Sequence, residues 1–176
     1  MKAPFEHPFD LSKLSLAEQD VRLVANPDEC ARIAQWAQVQ SVQRFEATVT
    51  LRRLAQNRFS YVATLKADVV QSCVVSLEPV AAHVEKDFSR ELNLVTHRAH
   101  DLAAHGDAPV ADAEDENAPE EIESTRYDVA RPLLEEFLLA LDPYPRAAGV
   151  VFESPALDDG GPENPFAVLK ALKGND

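Results

Sequence analysis

Between residues 42 and 70 the chain carries two long runs in which apolar and polar residues alternate one by one, and nothing else in it constrains the fold as strongly. In VQRFEATVTLRRL, Phe45, Ala47, Val49 and Leu51 fall on one side and Arg44, Glu46, Thr48, Thr50 and Arg52 on the other. In FSYVATLKADVV the same spacing groups Phe59, Tyr61, Ala63, Leu65, Ala67 and Val69. A period of two belongs to β-strands, whose successive side chains point to opposite faces. AQNR, residues 55–58, reads as the hairpin turn between them. A third run, VAAHVEKDFSRELNLV, starts after Pro79 and places Val80, Ala82, Val84, Phe88, Leu92 and Leu94 together, interrupted by Lys86 and Arg90. The expected result is an antiparallel meander with one wet face, either an open sheet or one curled toward a barrel.

Helices flank these strands. After a short alternating strand, DVRLVA at 20–25, NPDECARIAQWAQV opens with Asn26 as N-cap, Pro27 at the first helical position and Glu29 placed to complete a capping box. Cys30, Ile33, Ala34 and Ala37 line one face of this helix, with Trp36 near its edge, so Cys30 reads as a small core residue. DVARPLLEEFLLAL begins with Asp128 as the expected cap and reads as a helix lying on the sheet, ended by DPYPR, residues 142–146, where Pro143 and Pro145 force extended backbone on their predecessors. NPFAVLKALKG supplies a second Asn-Pro start with Gly174 at the stop. The fold class is therefore α+β, an antiparallel sheet with two or three helices packed on it. One domain spans 16–153, after an N-terminal tail over 1–15 and before a linker at 154–163 and a C-terminal helix at 164–174.

Charge narrows the partners. The 176 residues carry a net charge of −13, and the stretch 101–123 holds nine acids and no Lys or Arg. The remaining 21 acids against 17 bases leave a balance of only −4. The stretch lacks the large apolar groups that offset ordering entropy, and is expected to be a disordered acidic insertion. It suits either a solubilising linker or a docking segment for a basic partner. Two widely spaced cysteines, the absence of a basic-plus-apolar leader in MKAPFEHPFD, and the absence of an apolar run of about eighteen residues lead us to expect a reduced, cytoplasmic protein with no membrane role.

Tests for chemistry return little. The five glycines are scattered and open no helix, which argues against a phosphate-cradling loop. Cys73 sits in VVQSCVVSLEPV, residues 69–80, where Val74 and Val75 are expected to raise its pKa and mute it, so a nucleophilic pair with His83 is not expected. In HRAHDLAAHGD the spacing of His97, His100, His105 and Asp107 does not bring the imidazoles to one helical face, and no metal site is expected there. No catalytic residue, cofactor or metal ligand is assigned.

Three motifs in order, QSCVVSLEPV, DPYPR after an apolar helix, and NPFAVLKALK, separated by an acidic stretch, resemble the YceD family, the large ribosomal RNA subunit accumulation proteins, over about residues 16–173. The CVVSLEPV version is similar to that of the alphaproteobacterial branch. Many relatives carry a C-x-x-C pair where this chain has Cys73 and Ser76, and a further cysteine after the proline-rich stop, where this chain reads RAAGVVFE. A zinc role implied by those relatives does not carry over to a chain lacking both partner thiols. Cys73 then reads as a buried structural remnant at a strand end.

The resemblance implies a part in accumulation or processing of large-subunit ribosomal RNA. An acidic chain without a catalytic constellation suits a non-enzymatic assembly factor that holds a basic ribosomal protein or a large-subunit precursor particle. Asn164, Pro165, Phe166, Leu169 and Leu172 of the C-terminal helix, with Arg146 of DPYPR, are the candidate partner contacts, since the apolar spacing suits a helix laid in a groove; docking of that helix on its own domain is the competing reading. The alternative function is direct RNA binding through Arg44, Arg52, Arg53 and Arg58, with Lys66 beside them. No Phe or Tyr expected to be exposed interleaves with these bases to stack nucleobases.

Overall fold

The computed structural model describes residues 3–95 and 119–151. In chain order the elements are β1 (Pro8–Asp10), a 3-10 turn (Leu11–Lys13), β2 (Gln19–Val24), α1 (Pro27–Ala37), β3 (Ser41–Ala55), β4 (Arg58–Ser72), β5 (Pro79–Leu94), β6 (Glu120–Ile122), β7 (Arg126–Asp128) and α2 (Arg131–Ala140). The main sheet runs β2-β3-β4-β5-β6, and β1 pairs with β7 in a separate two-stranded sheet. The first three junctions of the main sheet are antiparallel and β5-β6 is parallel. The arrangement is α+β with a mostly antiparallel sheet.

The sheet is open, which corrects the barrel alternative. Its outer strands, β2 and β6, do not pair with each other, and the apolar face that a barrel would fold inward is covered by helices instead. α1 buries Cys30, Ile33 and Ala34, and α2 buries Pro132, Leu133, Leu134 and Phe137, in one core with the strands. Two helices pack on the sheet among the described residues.

Period-two spacing produces that core directly. Phe45, Ala47, Val49 and Leu51 of β3 and Phe59, Tyr61, Ala63, Leu65, Ala67 and Val69 of β4 are all buried. Their register sets Phe45 beside Ala67, Ala47 beside Leu65 and Val49 beside Ala63. A large residue next to a small one keeps the apolar layer even enough for helices to seat on it. Phe137 of α2 meets Phe45 edge to face with ring centroids 5.5 Å apart, and Phe5 approaches the same ring at 5.8 Å. Such aromatic contacts add about 1 kcal/mol beyond the area they bury.

Helix α1 starts as its sequence dictates. The Asn26 side chain accepts from the Glu29 amide at 2.9 Å while the Glu29 carboxylate accepts from the Asn26 amide at 2.8 Å. Asp128, however, does not cap α2. The cap position is Ala130, with no side-chain hydrogen bond, and Asp128 closes β7. Its carboxylate instead accepts from the amides of His7 at 2.7 Å and Ala130 at 3.1 Å, because β1 must be tied to this corner.

That tie changes the reading of the first fifteen residues. Phe5, Leu11 and Leu14 are buried in the core, and β1 pairs with β7. The segment expected as a tail is a structural layer from Phe5 onward. The acidic insertion expected over 101–123 lies outside the described residues up to 118, and its last residues form β6. The linker at 154–163 and the helix expected at 164–174 also lie outside the described residues.

Candidate functional site

The wet face of the sheet follows from the same alternation that builds the core. Arg44, Thr48 and Arg52 of β3, Arg58 and Val62 of β4, and His83, Glu85 and Asp87 of β5 are exposed on it. Antiparallel register brings opposite charges side by side. The Arg44 guanidinium lies 2.8 Å from the Asp68 carboxylate and 3.2 Å from that of Glu46. Lys66 sits 2.7 Å from Glu85, which holds the Glu85 carboxyl below its usual range and the Lys66 amine above its own. Arg52 lies 3.9 Å from Glu18, and Arg58 bonds Glu91.

Arg53, grouped with these from the sequence, belongs elsewhere. It shares the parity of the buried row Phe45, Ala47, Val49 and Leu51 and stays in register opposite buried Phe59, so alternation points it to the inner side near the N-terminal segment, where its Nη2 donates to the Ser12 carbonyl at 2.8 Å and its guanidinium stacks over the Phe59 ring at 5.6 Å. Its Nε is buried without a partner among the described residues. This arginine is a strap and not a surface contact. Arg44, Arg52 and Arg58 share the wet face, each matched to a carboxylate, with Arg52 and Arg58 at the hairpin end of β3 and β4 and Arg44 toward the opposite end. Among the described residues of that face, Arg22 is the arginine that meets no carboxylate within 4.0 Å.

On β5 the outward row reads Ala81, His83, Glu85, Asp87, Ser89 and Glu91, three acids with no Lys or Arg. His83 Nδ1 stands 2.6 Å from the Asp68 carboxylate, which with Arg44 draws the Asp68 carboxyl below its usual range. Asp87 accepts from the Thr64 hydroxyl at 2.6 Å. The signal for this acidic row lies in the sequence at the alternating positions from 81 to 91, interleaved with the apolar row.

Cys73 stands at a corner assembled from two of the sequence motifs. Its side chain is 0% exposed. The Val74 amide donates to the Pro145 carbonyl at 2.9 Å, the Gln71 side chain donates to the Asp142 carbonyl at 2.9 Å, and the Ala147 amide donates to Cys73 Sγ at 3.4 Å. QSCVVSLEPV and DPYPR are thus in contact across the fold. Leu77, at φ 63, takes the left-handed conformation that closes the turn, at a cost of about 1 kcal/mol for a residue with a Cβ.

Burial of the thiol agrees with its reading as a packed remnant, but the expected rise in pKa does not. The Ser76 hydroxyl, then the amides of Ser76, Ala147 and Val75, draw the thiol down to about 6 from 9.0. Hydrogen bonds to the thiolate outweigh the adjoining valines because the valine side chains point away while the backbone amides point in. Such a thiolate is held, yet covered. Cys30, by contrast, is pushed up by burial on α1.

Arg90, which interrupts the apolar row of β5, is placed by α2. Its guanidinium lies 2.8 Å from Glu135, 3.2 Å from Glu136 and 3.5 Å from Glu120. Among the candidate partner contacts, Arg146 is exposed just beyond Pro145, while Asn164, Pro165, Phe166, Leu169 and Leu172 lie outside the described residues, as do His97, His100, His105 and Asp107.

A family model described as Large ribosomal RNA subunit accumulation protein YceD matches residues 62–173. The match starts within β4, later than the resemblance near residue 16 suggested, and takes in the Cys73 corner, β5 and α2. No curated protein and no solved structure matches the chain.

Proposed function

This chain belongs to the YceD family of large ribosomal RNA subunit accumulation proteins, and from that premise we propose that it supports accumulation of the large-subunit ribosomal RNA in the cytoplasm without acting as an enzyme, by holding a basic ribosomal protein or an assembling particle. The observation that carries this reading is the charge on the wet face. Arg44, Arg52, Arg58 and Lys66 are each matched to a carboxylate, and the outward row of β5 is acidic. A phosphate backbone reaching this face would have to displace those carboxylates and then sit beside Glu85, Asp87 and Glu91. A cationic protein surface meets no such opposition.

A non-enzymatic role is supported by the place of the thiol of Cys73, whose ionisation its surroundings favour. Cys73 Sγ is occupied by amides and entirely covered, so a substrate atom has no line of approach. Among the described residues no helix is long and apolar enough to cross a membrane.

Affinity capture of the full chain at low and moderate salt, with and without nuclease, tests the proposal. Retention of ribosomal proteins after nuclease treatment is the expected result. Retention of ribosomal RNA alone, lost with nuclease and lost in an Arg44/Arg52/Arg58 to Ala variant, would replace it with the RNA-binding reading.

A further inference from the structure

We infer that the edge of β5 that no other described strand covers before Leu92 is a strand-addition site for an extended basic protein segment whose apolar and cationic residues alternate. The inference rests on the reading of this protein as a holder of basic partners. β5 pairs with β4 without a register shift from Pro79 to Asn93, whereas on its other side β6 covers only Leu92–Leu94. Among the described residues nothing else pairs with that side, so the backbone from Ala81 to Glu91 presents an unbroken row of donors and acceptors. A long regular edge of this kind is a template for another strand unless it is guarded.

The side chains select the occupant. On the outward face an added strand would lie beside Glu85 and Asp87. The Asp87 carboxylate has the Thr64 hydroxyl as its partner and no cation within 4.0 Å among the described residues. On the inner face the added strand would extend the apolar layer beside Ala82 and Val84. Lys or Arg at every second position and aliphatic residues between them satisfy both rows, each opposite-charge cross-strand pair adding modestly to the main-chain bonds.

The same rows disfavour a second copy. Antiparallel self-pairing about the middle of β5 sets Asp87 against Asp87, or Glu85 against Glu91, and like charges placed directly opposite repel. Exposed Lys86, on the apolar parity, further blunts indiscriminate pairing.

The test uses the full chain and a labelled synthetic peptide alternating Val and Lys, with a scrambled peptide of equal composition and a version N-methylated at alternate residues. Fluorescence anisotropy reads binding and amide hydrogen exchange reads the location. The alternating peptide should bind and slow exchange of β5 amides, the two altered peptides should not, and Asp87→Lys should weaken binding about tenfold. Equal binding of the scrambled peptide, or protection confined to residues outside β5, overturns the inference. So does slow exchange of the β5 edge amides in the unliganded chain, since a segment of this protein would then fill the edge. Ribosomal-protein capture that survives Asp87→Lys undiminished removes the edge and leaves the assembly role standing. A peptide-binding edge in a chain that captures no ribosomal protein supports the edge and removes that role.

Discussion

Arg90 on β5 donates to Glu135 on α2 at 2.8 Å, and the same guanidinium reaches Glu136 and Glu120, so one cation joins three carboxylates from two other elements. Its side chain is only 24% exposed. Replacing it with Met leaves three carboxylates facing one another at the sheet–helix junction. Arg90→Met is expected to cost about 2 kcal/mol in urea unfolding, while Glu135→Gln, which leaves two partners, costs under about 1 kcal/mol.

Arg53 and Arg52 are neighbours in sequence and opposite in consequence. Arg53→Ala removes the hydrogen bond to the Ser12 carbonyl and the stacking over Phe59, and should cost about 1–3 kcal/mol. Arg52→Ala breaks a long exposed pair with Glu18 and should change stability by less than about 0.5 kcal/mol. Parallel denaturant titrations of the two variants decide the point, and equal effects would refute the assignment of Arg53 as a strap.

Phe5 is 5% exposed and packs edge to face on Phe45. Phe5→Ala should lower stability by about 3 kcal/mol, a core effect from a residue near the chain start. Deleting the first four residues alone should do far less, and differential scanning calorimetry distinguishes the two.

Much of this arrangement is legible in the residues themselves, for reasons that are local. Alternation specifies β3 and β4 because their inner sides are buried along the whole length, and Asn26 with Glu29 specifies a helix start because the capping bonds span three residues. β1, β6 and β7 carry three residues each, and β1 exists only because β7 lies across from it. Pairing over that distance leaves no periodicity to read. The same holds for the site. Lys66 beside Glu85 and Arg58 beside Glu91 are products of register, and the pull on Cys73 comes from backbone amides that have no side-chain signature.

Cys73 makes stability depend on pH. Its thiol ionises near pH 6 in the folded chain against 9.0 without the amides, so the folded state favours the thiolate. The stabilisation is complete above pH 9, and it is lost as the pH falls through about 6. Unfolding free energy measured across this window should rise with pH more steeply in the native chain than in Cys73→Ala, and the ultraviolet absorbance of the thiolate should titrate near the lower limit. Identical slopes would show that the amides do not act on the sulfur.

The bond from the His7 amide to the Asp128 carboxylate joins residues 121 positions apart, and β1 has its strand partner in β7. During synthesis the β3-β4-β5 hairpins can close as soon as they emerge, since their partners are adjacent in sequence. The opening residues must wait. Phe5, made long before the stretch near residue 128, reaches its final seat only after that stretch has been made, so a chain halted before that point should display an unsealed apolar seam to whatever chaperone stands nearby.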